Sequence, residues 1–341
     1  MNDTFEASVT ATFGRHLLVR NASGQELRAR PFGRGLAVVC GDNVLCRSDA
    51  HHDEVHVLEV VPRRSALYRS NLRGVTEAVV ANLTRLLVVL APAPVPDLFV
   101  VDRYLAAAAS GGVSATLVVN KTELGIGEEL RAQLDRLGKA GYPWIDCSVK
   151  GASGYDGLLE ACAGQVAALV GQSGVGKSSI VKWLIPNAEV ETGTLVREEE
   201  GRHTTTASRM FDLPRGGHLI DSPGVRDFAP AVDRLDSRSL GFVEVERLAP
   251  GCRFADCRHM REPGCAVRDA TESGGMDARR YESYRRLRRC TDRIWTRSPE
   301  KLPHKAQRWH ALWNRIGPQV SLPRRLGRAH GLTKLGRCLT V

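Results

Sequence analysis

No apolar stretch in this sequence is long enough to cross a membrane as a helix. The longest, such as Leu86–Val95, span about half of the ~20 residues a bilayer demands. The opening residues Met1-Asn2-Asp3-Thr4-Phe5-Glu6 are acidic and lack the basic-then-apolar layout of a secretory leader. Internal repeats and low-complexity tracts are also missing. These absences lead us to expect a cytoplasmic protein with no membrane partner. A disulfide scaffold does not suit that compartment. The nine cysteines are odd in number, and Cys40, Cys46, Cys147 and Cys162 sit in apolar stretches where a thiol acts as a small buried hydrophobe. Cys290 and Cys338 carry no pattern.

Apolar residues, at 43%, and charged ones, at 25%, are present in the amounts ordinary for a globular protein. A length of 341 residues suggests two or three domains. The net charge of +10 is unevenly spread. From Arg279 onward there are 17 Lys/Arg against 3 Asp/Glu, whereas the rest of the chain holds 31 against 35. A basic end of this density, with Trp295, Trp309 and Trp313 interleaved, suits a polyanionic partner and RNA in particular. A solvated helix face with no partner is the plainer alternative.

Residues 5 to about 62 read as short strands: Val9, Ala11 and Phe13 alternate with polar residues, and Leu36–Cys40 and Val55–Val61 are rich in β-branched residues. The size suits a β-barrel of the OB type, with another small barrel as the alternative. From about residue 72, apolar strands alternate with amphipathic helices. Strands are expected at Arg85–Leu90, Ala115–Val119, Pro143–Cys147, Gln165–Val170 and His218–Ile220. Helices are expected from an Asp97 cap to Ala109, at Glu128–Leu137 and at Lys177–Ile185. This pattern predicts a mostly parallel sheet covered on both faces.

The chemistry begins at Gly171-Gln172-Ser173-Gly174-Val175-Gly176-Lys177-Ser178, which fits G-x-x-x-x-G-K-[ST] between an apolar strand and a helix. Glycines let backbone N–H groups wrap a phosphate chain, Lys177 reaches the β- and γ-phosphates, and the Ser178 hydroxyl binds Mg²⁺; Ser179 joins the nucleotide-binding set. About 43 residues after Lys177, Asp221-Ser222-Pro223-Gly224 ends a strand. Asp221 is placed to hold the Mg²⁺ shell through water, and the Gly224 N–H to sense the γ-phosphate. Between these lies Gly201-Arg202-His203-Thr204-Thr205-Thr206 in a polar stretch, where a threonine hydroxyl, Thr205 foremost beside Thr204, completes the Mg²⁺ coordination.

Guanine offers N1–H and N2–H₂ donors together, and a carboxylate that accepts both reads it. Asn120-Lys121-Thr122-Glu123 stands at a strand tip where N-K-x-D stands in GTPases, with Glu123 in place of Asp. Cys147-Ser148-Val149-Lys150 follows the next strand and is similar to the S-A-K loop whose backbone contacts the guanine oxygen. Both elements precede the P-loop, the reverse of the usual order, so the domain is circularly permuted. Further on, Cys252, Cys257, His259 and Cys265 form C-x4-C-x-H-x5-C, three thiolates and an imidazole that suit a closed structural Zn²⁺ site.

Taken together, the permuted motifs followed by this cysteine–histidine cluster resemble the ribosome small-subunit-dependent GTPase A family over nearly the whole chain. The resemblance implies an OB-fold RNA-binding barrel over 1–65, a circularly permuted G domain over 66–235 and a zinc-binding domain over 236–300; the basic extension over 301–341 follows them. It further implies GTP hydrolysis stimulated by the small (30S) ribosomal subunit, whose rRNA and late assembly are its object, and a monomer that cycles between GTP and GDP. Val225 occupies the position after D-x-x-G where many GTPases keep a glutamine, and an apolar residue cannot orient water. The family instead places a catalytic histidine in the G-R-H-T-T-T element, here His203. Two other readings remain: a nucleic-acid-dependent P-loop ATPase with a structural zinc site, and a zinc-bearing RNA-binding protein whose nucleotide is only structural.

Overall fold

The computed structural model describes residues 4–33, 35–48, 55–70, 75–187, 207–226 and 230–295. Five strands come first: β1 (Thr4–Phe13), β2 (His16–Asn21), β3 (Glu26–Pro31), β4 (Asn43–Ser48) and β5 (Val55–Val60). They pair in the cyclic order β1-β2-β3-β5-β4-β1, with β3 parallel to β5 and every other pair antiparallel. Closure removes all sheet edges. Val9, Val19, Ala29, Val44 and Val57, alternate residues of their strands, fill the interior.

The expected strand at Leu36–Cys40 is a loop. Its backbone is held instead by the buried Asp42, whose carboxylate accepts from Val39 N at 2.8 Å and from Arg63 Nε and Nη2 at 2.6 and 2.9 Å. β-branching cannot impose a strand where a side chain takes the ladder's N–H. A hairpin unforeseen in the sequence follows, β6 (Ala66–Ser70) and β7 (Thr76–Ala81), joining the barrel to the nucleotide-binding half.

That half is a sheet of β8 (Arg85–Leu90), β9 (Ser114–Val119), β10 (Trp144–Asp146), β11 (Val166–Gly171), β12 (Ser208–Asp212) and β13 (His218–Asp221), in the order β10-β9-β8-β11-β13-β12. All neighbours are parallel except β12. Strand β8 shows why both faces are buried: Leu86, Val88 and Leu90 pack on one side and Leu87 and Val89 on the other. The first side is covered by α1 (Leu98–Ser110) and α2 (Glu128–Lys139), the second by α3 (Tyr155–Cys162) and α4 (Lys177–Leu184). Asp97 caps α1 as expected, its side chain accepting from Phe99 N at 2.9 Å. Strand β12 also pairs with β1, so the barrel and the α/β sheet share one continuous ladder.

The last part is helical: a short turn α5 (Pro223–Arg226), then α6 (Val243–Leu248), α7 (Ala266–Glu272) and α8 (Ala278–Trp295). Several arginines of α8 point inward. Arg280, 2% exposed, forms a two-pronged bond to Glu244 of α6 at 2.7 and 2.6 Å and reaches Asp102 of α1 at 2.8 Å. Arg279 holds the other oxygen of Asp102 at 2.6 Å, whereas Arg286 stays exposed, its guanidinium 4.0 Å from the centre of the Phe99 ring. Arg288 is buried on the Ser237 and Arg238 carbonyls. Part of the basic excess counted from Arg279 is therefore committed inside the protein. No described helix is long and apolar enough to cross a membrane. The basic extension 301–341, with Trp309, Trp313 and Cys338, lies outside the described residues.

Candidate nucleotide and metal sites

The P-loop lies between β11 and α4, at the carboxyl end of a central parallel strand, the usual place for ligands in open α/β sheets. Its glycines are required by geometry. Gly171 has φ +149°, and a Cβ there would lie 2.3 Å from the Val89 carbonyl oxygen. Gly176 has φ +95°, and its Cβ would meet the Asn120 side-chain nitrogen at 2.3 Å. Lys177, 8% exposed, donates to the carbonyls of Gly171 at 2.6 Å and Gln172 at 2.8 Å. The loop's concave side thus carries an ammonium and a helix N-terminus, both favouring an anion. Ser178 and Ser179 stand exposed in the first turn of α4, and Ser173 and Gly174 are exposed on the loop.

The base-recognition elements expected upstream come together with this loop in space. Asn120, buried, donates to Val175 O at 2.9 Å, and its Oδ1 accepts from Val149 N at 3.4 Å. Lys121 crosses the P-loop, donating to Gly174 O at 2.6 Å and Ala93 O at 3.1 Å. The Thr122 hydroxyl donates to Cys147 O at 3.0 Å. The Ser148 hydroxyl donates to the Glu123 carboxylate at 2.5 Å and accepts from Gly151 N at 2.7 Å. That hydroxyl, with Lys150 and Lys121 nearby, holds the exposed Glu123 carboxyl below the ordinary range.

Asp221 ends β13 beside β11, and the following Ser222 is buried, its hydroxyl accepting from Ser208 Oγ at 2.7 Å. Gly224 lies against the hairpin, where a Cβ would meet Val79 at 2.9 Å. Val225 is buried in the core beside it. His203, Thr204 and Thr205 lie outside the described residues. Two contacts gave no signal in the sequence. The Gln172 side chain accepts from Asp97 N at 2.9 Å, tying the P-loop to the start of α1, and the Ser148 hydroxyl reaches Glu123 from the next loop.

Three comparisons bear on this arrangement. The model of the RsgA GTPase family matches residues 60–230. A small ribosomal subunit biogenesis GTPase RsgA of Azotobacter vinelandii is 41% identical over 270 residues, 78% of each chain. Its counterpart in Pseudomonas aeruginosa strain LESB58 is 41% identical over 283 residues, 82% of this chain and 83% of that one. The chain belongs to the RsgA GTPase family. It is accordingly a GTP hydrolase, and the ATPase reading falls away. Among solved structures, YjeQ from Thermotoga maritima matches 84% of this chain and 98% of its own with TM-score 0.66 at 24% identity. The circularly permuted GTPase YloQ matches 87% and 97% with TM-score 0.64 at 20% identity. At these identities the likeness concerns the fold.

In this RsgA-family chain the cysteine–histidine cluster is assembled. The sulfurs of Cys252, Cys257 and Cys265 and a ring nitrogen of His259 lie within 4.8 Å of one another. His259 Nδ1 is 3.5 Å from the sulfurs of both Cys252 and Cys265. A tetrahedral Zn²⁺ with bonds of about 2.0–2.3 Å sets its ligands roughly 3.5–4 Å apart, so the donor set and its spacing fit the ion. Gly264, at φ +65°, turns the chain just before Cys265, and its carbonyl accepts from Arg253 N at 2.9 Å. The loop is pinned from three sides. Glu262 accepts from the N–H groups of Met260, Arg261 and Arg258 at 2.8, 2.9 and 3.3 Å. Tyr281 and Tyr284 of α8 donate to the carbonyls of His259 and Arg258 at 2.8 and 3.0 Å. Burial pushes the Cys257 thiol up to about 12 and the His259 imidazole down.

Proposed function

We propose that this chain is a GTP-driven switch in late maturation of the 30S ribosomal subunit, working as a cytoplasmic monomer. The observation that carries the nucleotide half is the bond from Asn120 to Val175, which joins base-recognition and phosphate loops of a permuted domain. The ribosomal half is supported by relatives named small ribosomal subunit biogenesis GTPase. In this reading Glu123 accepts the guanine donors and the loop Ser148–Lys150 faces the guanine oxygen. The backbone of Gly171–Gly176 and the Lys177 ammonium hold the β- and γ-phosphates. Ser178 and Thr205 would hold Mg²⁺, with Asp221 acting through water, and the ion would neutralise the phosphate charge. Gly224 and Thr204 report the γ-phosphate, and His203 orients the attacking water in place of the glutamine that Val225 replaces. The cluster Cys252, Cys257, His259 and Cys265 holds a structural Zn²⁺ that staples the C-terminal domain. The barrel, zinc domain and basic extension contact rRNA, and hydrolysis releases the protein.

Co-sedimentation with purified 30S subunits tests this reading. Protein loaded with a non-hydrolysable GTP analogue pellets with the subunit and GDP-loaded protein stays in the supernatant. Equal behaviour of the two forms contradicts a nucleotide switch.

A further inference from the structure

The two-residue period of the barrel strands sorts their side chains into an inner and an outer set. On β3, Leu27 and Ala29 pack into the barrel core, while Arg28 and Arg30 are exposed on the outer face. Two residues beyond Arg30 comes Phe32, 56% exposed. Across the sheet Arg30 pairs with His56 of β5, and His56 pairs with Arg47 of β4. A row of three nitrogen-bearing side chains therefore crosses three strands beside one aromatic ring. The Arg47 guanidinium lies 5.2 Å from the Phe32 ring centre, and the His56 ring meets it edge-on at 5.7 Å. Phe32 is fixed through its backbone, donating to Val57 O at 2.8 Å, so its place does not depend on burying the ring. The adjacent row holds Glu6 and Glu59 on either side of Leu45 and bounds the cationic patch on that flank.

A ring left more than half exposed adds little to the core, and the cations around it do not need it for solubility. Bases stack on aromatic and guanidinium planes, and arginines hold the phosphates between them. An acidic protein surface would use the arginines and leave the ring idle. A duplex would offer phosphates but no base face. We propose that this outer face binds unpaired RNA, with one nucleobase stacked on Phe32 and flanking phosphates held by Arg28, Arg30 and Arg47. The proposal rests on the ribosomal reading above and narrows it to a site.

The test uses the full chain and a fluorescein-labelled oligouridylate of about twelve nucleotides at low salt. Phe32→Ala weakens binding about tenfold, within the range for loss of one stacked base. Phe32→Trp retains affinity and shows a quench, on adding unlabelled RNA, beyond that of the unaltered chain. Phe32 is exposed, and unchanged intrinsic GTP hydrolysis verifies folding of both variants. Unaltered affinity in Phe32→Ala together with no added quench in Phe32→Trp overturns the proposal. So does competition by polyglutamate that Phe32→Ala leaves unchanged, which marks an acidic protein as the partner. Stimulation of hydrolysis by 30S subunits is measured alongside. A chain that binds RNA through Phe32 but ignores the subunit sinks the ribosomal reading alone, and the converse sinks only the stacking site.

Discussion

Asn120 donates its side-chain amide to the carbonyl oxygen of Val175, 2.9 Å away across 55 residues of chain. With Lys121 on Gly174, it makes base loop and phosphate loop one mechanical unit. Replacing Asn120 by Ala leaves the buried Val175 carbonyl and Val149 N–H short of partners, at roughly 1–3 kcal/mol. We expect GTP and GDP to bind about five- to 150-fold more weakly, read by titration with a fluorescent guanine nucleotide. Binding within twofold of the unaltered chain contradicts the coupling.

The longer reach of Glu123 is controlled by the Ser148 hydroxyl, the first cause of its lowered pKa. A carboxylate accepts the guanine donors only when ionised. Nucleotide affinity therefore stays level above the ordinary carboxylate range and falls only at lower pH. Ser148→Ala returns the Glu123 pKa upward, so the fall begins at higher pH. It also frees the extra methylene, and preference for GTP over ITP, which lacks the N2 donors, drops a few-fold. Competition titrations at several pH values measure both effects.

The buried ions Asp102, Glu244 and Arg280 link α1, at whose start Asp97 meets Gln172 of the P-loop, to the C-terminal helices. Arg280→Met strands Glu244 without its partner and costs about 3–5 kcal/mol. The triple change Asp102→Leu, Glu244→Leu, Arg280→Met recovers much of that loss, since apolar groups need no counter-charge. Urea unfolding followed by circular dichroism reads both. A single-variant loss below about 1 kcal/mol removes the hub from the account.

Elemental analysis of the purified chain should give one zinc per molecule, lost in Cys257→Ser. Chelation should melt the C-terminal helices before the sheet, because closed zinc sites supply folding energy to small domains. Full zinc retention by Cys257→Ser would exclude that thiol as a ligand.

Much of the nucleotide half was legible because its signals are local. Arg85–Leu90 and Ala115–Val119 are mostly apolar runs with glycine or asparagine punctuation, and they are β8 and the body of β9. The Asp97 cap and the P-loop glycines likewise announce themselves within a few residues. Elements with weaker periodicity were missed: the β6–β7 hairpin, α3 and β12, whose Ser208-Arg209 start reads as loop. Leu36–Cys40 was misread because the competing acceptor, Asp42, acts through a side-chain bond that propensity ignores. Long-range pairings were invisible for a different reason. Asp102 and Arg280 lie 178 residues apart, and each alone looks like a solvated helix charge.

The central claim is a guanine-specific switch that the small ribosomal subunit drives. Hydrolysis of GTP and of ATP by the purified chain, alone and with 30S subunits, tests it most directly. The account predicts slow, GTP-selective turnover that rises steeply with added 30S subunits, as unassisted GTPases can lie ~10⁵-fold below their stimulated rate. Equal use of ATP, or a GTP rate indifferent to the subunit, would contradict it.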